Sequence, residues 1–334
     1  MKYSFAEYCV CPRCRAELSE QYGWLQCVSC GVRYEVRDGI PMLLPNYESK
    51  QEASYFDCYQ EIAKDDLSRP LEERRDVRHA VLLKFIGNVK KKKVLDIGSS
   101  NALYLRKLDA AFKVAFDLAV SYLAAVPKED GIARICGDAE YLPFKAGFFD
   151  VIVISGILEH LLHPDRLVQL LRSVCSRDTR VIVEIPWEED LGQYRNANYE
   201  FTHLRSFSAY KFAELWRGFY IKRARSTYPS LEDPIFFRLG GKIPRVPYNV
   251  LVHVYFESNL WKREYEHRVR WIDELPRRER WLLIFYKPKF RMFELRTLKR
   301  SVWAYAFWKI RQGVCGLSRR QCHDEEASGS TSIK

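Results

Sequence analysis

The sequence has no run of 18 or more apolar residues, which excludes a membrane-spanning helix. Its opening, M-K-Y-S-F-A-E-Y, lacks the apolar stretch of a targeting signal, so a cytoplasmic chain with reduced thiols is expected. It has no internal repeat, so no repeat array is expected. It has no G-x-G-x-x-G turn, which argues against a dinucleotide site. What remains is a chain of 334 residues, 47% hydrophobic, long enough to bury a full α/β core plus smaller modules.

Lys93 to Leu105 reads K-V-L-D-I-G-S-S-N-A-L-Y-L: a short apolar strand ending in Asp96, a small-residue turn at Gly98 and Ser100, then a helical pattern from Ala102. Such a turn sets backbone N–H groups and a helix N-terminus beside a ligand. Asp96 would repel a pyrophosphate and suits a ligand that carries positive charge. A second strand, Val114 to Phe116, ends in Asp117, which either binds a ribose diol or caps the next helix. A third, Ile132 to Cys136, runs into Gly137-Asp138-Ala139, where Asp138 is a ligand contact or an ordinary turn residue. A fourth, Val151 to Ile154, leads through Ser155-Gly156 to Leu158-Glu159-His160, and a fifth, Arg180 to Ile185, ends at Pro186-Trp187. Alternation of these strands with helical stretches such as Asp165 to Cys175 predicts an α/β, doubly wound, mostly parallel sheet with its site at the carboxyl ends of the strands.

Residues 75 to 228 resemble the class I S-adenosylmethionine-dependent methyltransferases. V-L-D-I-G-S-S-N-A, F-D-L-A, G-D-A-E-Y-L-P-F and F-D-V-I-V-I-S-G-I-L-E-H-L-L-H-P match four motifs of that family in order, and H-L-R-S-F before a helix and G-F-Y-I also recurs. Ser100 stands where the family usually carries a second glycine. The resemblance implies a seven-stranded Rossmann-like sheet and S-adenosyl-L-methionine as cofactor. It puts Asp96 and Gly98 against the methionine portion, Asp117 at the ribose hydroxyls, Asp138 and the Ala139 backbone at the adenine, and Ser155 and Gly156 beside the transferred methyl. Ser100 and Leu118 complete the expected cofactor-binding set. A hydroxyl acceptor needs a base, and His203 and His160 are the catalytic candidates. Alternatively His203 organises its loop and His160 serves the cofactor side, while His163 before Pro164 is expected to open a helix.

Near the N-terminus, C-P-R-C and C-V-S-C set Cys11, Cys14, Cys27 and Cys30 in two knuckles 12 residues apart. Four thiolates so spaced can surround one tetrahedral Zn²⁺, or form two disulfides. A reducing compartment favours the metal, and a closed four-cysteine site makes it structural. With R-D-G-I-P-M-L-L-P, the segment resembles the small zinc-ribbon proteins that accompany tRNA and protein methyltransferases, and the ribbon heads of some bacterial methyltransferases. Cys9 is a substitute ligand for Cys11. Cys136 and Cys175 fall on apolar patterns and are expected in the core.

Charge is uneven. Between Gly241 and Arg320 stand 19 Lys and Arg against 7 Asp and Glu, a net of +12; the whole chain is +11, so the rest sums to −1. Trp281 to Tyr286 is expected as the last strand, antiparallel to Tyr220 to Ser226, with 229–280 inserted before it. The expected organisation is therefore a zinc ribbon (1–46), a linker with short helices reaching over the cofactor (47–74), and a methyltransferase domain (75–290). A basic, aromatic, amphipathic extension (291–320) follows, with Trp303, Phe307 and Trp308 on neighbouring helical turns. It suits an anionic membrane interface, a nucleic-acid surface or its own domain. A disordered tail (321–334) ends the chain.

Three functions follow as expectations. The first is methylation of a small molecule, a sugar or a lipid-linked glycan precursor, the protein peripheral on the inner face of the membrane. The second is tRNA or rRNA methylation, with the ribbon and the basic quarter gripping phosphates. The third is a non-catalytic activator whose ribbon docks a protein partner. The fourth strand ends in S-G-I-L rather than an N-P-P-Y-type motif, against base-amine chemistry, and intact Asp96, Asp117 and Asp138 speak against the third.

Overall fold

The computed structural model describes residues 3–68, 73–187, 200–207, 209–227 and 252–260, which all fall in one compact unit. Helix α1 (Phe5–Tyr8) precedes four short strands, β1 (Leu18–Gln21), β2 (Trp24–Cys27), β3 (Arg33–Arg37) and β4 (Ile40–Leu43), each antiparallel to the next. Asp38-Gly39 turns β3 into β4 with φ of 50° and 75°, the two left-handed residues that a two-residue hairpin of this hand requires. Helix α2 (Lys50–Ser68) opens on a capping box, Glu52 N–H donating to Ser49 Oγ at 3.1 Å and Ser49 N–H to Glu52 Oε2 at 3.4 Å. Short helices were expected here; one 19-residue helix forms, because neither glycine nor proline interrupts Lys50 to Ser68. Helix α3 (Glu73–Ile86) leads to the central sheet.

β5 (Lys93–Ile97), β6 (Phe112–Asp117), β7 (Ala133–Gly137), β8 (Val151–Ser155) and β9 (Arg180–Trp187) are parallel in the order β7-β6-β5-β8-β9. Their side chains are buried on both faces, as parallel strands covered by helices must be. α4 (Leu103–Arg106), α5 (Val120–Ala124) and α6 (Pro164–Val174) are among the covering elements, and α6 buries the stripe Leu167, Val168, Leu171 and Val174. The chain order reverses between β5 and β8, which places a ligand crevice beyond the carboxyl ends of these strands.

After α7 (Ala209–Leu215), β10 (Phe219–Thr227) forms the edge, and β11 (Val252–Leu260) slots between β9 and β10, antiparallel to both. The partner of β10 is thus 252–260, inside the stretch expected as an insertion; Trp281–Tyr286, the basic extension and the tail lie outside the described residues. V-H-V-Y-F-E-S-N-L roughly alternates apolar and polar residues, the pattern of a half-covered antiparallel strand, whereas W-L-L-I-F-Y is a continuous apolar run with the stronger strand signal.

The sheet does not stop at β7. β4 adds to it in parallel, Met42 opposite Cys136 and Leu43 opposite Gly137, so among the described residues eleven strands follow one another as β1-β2-β3-β4-β7-β6-β5-β8-β9-β11-β10. Tyr8 is wholly buried against Phe112, Phe148 and Phe149. Arg15 donates to the carbonyls of Leu142 and Phe144, and Arg134 to that of Asp38 at 3.0 Å. The expected boundary near residue 46 is therefore crossed by a strand pairing and a shared core. Among the described residues no helix is long and apolar enough to cross a membrane.

Candidate functional site

The turn after β5 is built from alternating left-handed residues: Gly98 (φ 74°), Ser100 (50°) and Ala102 (58°). Two of the three are not glycine, at a conformational cost of about 1 kcal/mol each. The turn is held by its neighbour strand, Gly98 and Ser99 N–H both donating to Phe116 O, at 2.9 and 3.1 Å. Ser100 N–H donates to Asp117 Oδ2 at 2.7 Å, and Ala119 N–H to Asp117 Oδ1 at 2.9 Å. Asp117 thus ties the turn after β5 to Ala119, the residue that precedes α5. A carboxylate offers about four lone-pair sites, so these backbone donors leave room for a hydroxyl donor.

Asp96 is fully buried, and Tyr104 donates its hydroxyl to Oδ1. Its Oδ2 has no hydrogen-bond partner among the described residues. Burial, reinforced by the nearby charge of Asp117 and opposed by the Tyr104 bond, pushes Asp96 up to about 8. A buried carboxyl with one orphaned oxygen fits a cationic group of a ligand. At the end of β7, Asp138 caps the 3₁₀ turn Ala139–Tyr141, accepting from Glu140 N–H at 2.8 Å and Tyr47 O–H at 3.1 Å. Burial lifts both Asp117 and Asp138 to about 6. Leu118 O accepts from Gln60 Nε2 at 3.0 Å. Beyond β8, the Ser155 hydroxyl donates to Glu184, and Gly156 (φ 64°) donates its N–H to Glu184 O at 3.0 Å. Ile157 then lies directly over Gly98, where a Cβ would sit 2.0 Å from its Cγ2.

The two histidines meet. The His160 and His203 rings are 4.6 Å apart at 83°, and His203 N–H donates to His160 Nδ1 at 3.4 Å. His203 is left-handed (φ 46°). Leu204 N–H bonds Glu159 O at 2.8 Å, and Arg205 donates to the carbonyls of Leu158, Leu161 and Leu162. The arginine of H-L-R-S-F therefore clamps the His203 loop onto the turn that carries His160. His163 opens α6, as expected, and its N–H donates to Glu140 at 2.7 Å.

Sequence reasoning missed helix α2 as a source of named contacts. Tyr59 O–H reaches Phe201 O at 3.0 Å and its ring stands edge-on to His160, 6.0 Å away. Glu52 meets Arg166 at 3.0 Å and Tyr141 O–H at 2.9 Å. The aromatic spacing Tyr47, Tyr55, Phe56, Tyr59 was the available signal.

The four ribbon cysteines converge, their Sγ atoms within 4.8 Å of one another, with Cys11 to Cys30 at 3.7 Å and Cys14 to Cys27 at 3.4 Å. Tetrahedral Zn–S bonds of about 2.3 Å put sulfurs about 3.8 Å apart, so the donor set fits one zinc ion with little adjustment. None of the described cysteines is in a disulfide. Burial pushes Cys11 up to about 11, whereas the N–H groups of Cys30 and Ser29 outweigh desolvation and hold Cys27 down to about 6. Cys9 is buried in a bridge to Phe144 and stands apart from the cluster; Cys136 and Cys175 are in the core.

Residues 95–183 match the family model described as "Methyltransferase domain". A tRNA U34 carboxymethyltransferase of Campylobacter jejuni subsp. doylei is 26% identical over 135 residues, 38% of this chain and 46% of that protein. The chain thus spans about half the length of the curated relative it matches. One chain of a solved complex containing the Haloferax volcanii Trm112 methyltransferase activator gives a TM-score of 0.46 at 12% identity, covering 62% of this chain and 96% of that one. Haemonchus contortus phosphoethanolamine N-methyltransferase 2, solved with S-adenosyl-L-methionine, gives 0.43 at 15% identity, covering 55% and 52%.

Proposed function

We propose that this chain, in which residues 95–183 are a methyltransferase domain, carries the methyl group of S-adenosyl-L-methionine to a small acceptor: a small molecule, a sugar or a lipid-linked glycan precursor. The observation that supports the acceptor class is a cluster of aromatic rings beside the two histidines. Helix α2 and the 200–207 loop bring Tyr55, Tyr59 and Phe201 together, the Tyr55 and Phe201 rings 5.4 Å apart and Tyr59 edge-on to His160. A wall of aromatic rings with a few polar atoms suits a small ligand.

Bound there, the cofactor supplies an electrophilic methyl group on a sulfonium. Asp96 receives its ammonium group, Asp117 its ribose hydroxyls, Asp138 and Ala139 its adenine, with Gly98, Ser100 and Leu118 completing the cradle. Ser155 and Gly156 border the methyl, and His160 and His203 face the acceptor. Holding donor and acceptor in line supplies much of the acceleration, with effective molarities of about 10⁵ M and above. The ribbon cysteines Cys11, Cys14, Cys27 and Cys30 hold one structural Zn²⁺.

A second reading, RNA methylation, is favoured by the tRNA-modifying relative and by the net +12 of residues 241–320. The two part in one experiment: radiolabelled methyl transfer from the cofactor into a cell extract, fractionated into RNA, protein, organic-soluble and aqueous pools. Label in the organic or small-molecule pool is the expected result; label in RNA overturns the acceptor class.

A further inference from the structure

We propose that Glu159, His160 and His203 form a divalent-cation site that binds the acceptor's oxygen during methyl transfer. The inference rests on the methyltransferase reading for what the cation does, and on geometry for the cation itself. One carboxylate and two imidazoles each offer a donor atom, and the three lie within 4.8 Å of one another. Two donors about 2.1 Å from a common ion are at most about 4.2 Å apart, so the cluster closes on an ion by moving about half an ångström.

The donors are placed by backbone structure. Glu159 and His160 are consecutive in the turn after β8, and Glu159 is buried. His203 arrives from a loop far along the chain and is held there by the Leu204 N–H on Glu159 O and by the Arg205 clamp, while the long His203 N–H contact to His160 Nδ1, at 3.4 Å, is the one an ion would displace to free that nitrogen as a ligand. A non-glycine residue held left-handed at the centre of such a clamp is an outlier of the kind found where a side chain must be aimed.

Two imidazoles and one carboxylate form a donor set typical of first-row divalent ions that keep open coordination positions. A structural site would close those positions; three protein donors leave room for substrate. The charges also balance. A dication, one carboxylate and one deprotonated acceptor oxygen sum to zero, which a buried site favours. The acceptor hydroxyl binds the ion and loses its proton to water, because coordination lowers its pKa. An oxygen lone pair then forms the O–CH₃ bond as the CH₃–S bond breaks, its pair going to sulfur, which leaves a neutral thioether. The acceptor class is therefore an alcohol, phenol or sugar hydroxyl. His160 and His203 act as ligands rather than as proton acceptors.

Mn²⁺ tests this without competing well for the thiolate site. Full-length protein loaded with one equivalent of zinc per chain, enough for the four-cysteine site alone, is titrated with Mn²⁺ and the free aquo-ion signal is read by electron paramagnetic resonance. The expected result is one Mn²⁺ bound per chain, weakened more than about tenfold by Glu159→Gln and by His203→Asn. Asparagine tolerates the left-handed backbone, so the second variant keeps the loop. S-adenosylmethionine binding and the melting curve of each variant confirm the fold. No Mn²⁺ binding by the parent protein at millimolar concentration, or equal binding by folded variants, overturns the site. Mn²⁺ binding without cofactor binding would sink the methyltransferase reading and leave the cation site standing.

Discussion

Tyr104 donates its hydroxyl to a carboxylate, Asp96, whose other oxygen meets no donor, and both side chains are buried beneath the turn that follows β5. Asp96 sits at about 8, against an ordinary aspartate near 3.9. The ligand-free protein therefore holds it protonated at neutral pH, and a cationic ligand reverses that preference. S-adenosylmethionine binding at pH 7 is expected to release a proton, seen by calorimetry as a heat that scales with buffer ionisation enthalpy. Because the folded value is raised, Asp96 costs stability as pH climbs from about 4 to about 8. Asp96→Asn should melt higher than the parent by a margin that widens from pH 5 to pH 8, and should bind no cofactor. A constant margin would refute the buried-acid account.

Glu52 behaves in the opposite sense. Burial pushes it up, but Arg166, Tyr141 and Ser49 outweigh burial and hold it down to about 2. A depressed value stabilises the fold above the ordinary glutamate pKa near 4.3, and the gain is lost as pH falls toward 2. The Arg166 side chain is 41% exposed, so water screens the pair and Glu52→Gln should cost about 0.5–1 kcal/mol at pH 7. That cost should fade in melts between pH 4.5 and 2.5; a cost unchanged over that range would mean packing, not charge, joins α2 to α6.

Gly98→Ala meets two obstacles, a left-handed φ of 74° and a contact of 2.0 Å with Ile157 Cγ2. Overpacking of this kind costs about 1–3 kcal/mol. Urea denaturation should show that loss, and Ile157→Ala added to it should recover the steric part but not the backbone part. Full recovery in the double variant would show that the backbone conformation carries no cost.

Zinc analysis of the purified chain should give one ion, abolished in Cys14→Ser/Cys27→Ser. Since β4 is hydrogen-bonded to β7, and Tyr47 just beyond it reaches Asp138, the same variant should also weaken cofactor binding. Unchanged cofactor affinity in a zinc-free chain would separate the ribbon from the site.

The parallel strands were legible because each is a short apolar run closed by a polar or small residue, and Asp96, Asp117, Asp138 and Ser155 stand at or just beyond their ends for the same reason. The ribbon knuckles were legible from spacing alone. Two things were not. The seventh strand, 252–260, alternates its polarity and so lacks the signal of a buried run. The roles of Tyr47, Glu52, Tyr59 and Arg205 depend on contacts with residues 43 or more positions away, which no local pattern encodes. His160 and His203 were both visible as histidines; that they touch was not.

The β4–β7 pairing makes the ribbon a ruler. A metal module on a flexible tether samples many distances from the reaction centre. Here the hairpin of β1 and β2, with Tyr22 and Trp24 exposed near its tip, is carried on strands that belong to the same sheet as Asp96. Those rings are therefore held at a fixed offset from the strand that carries Asp96.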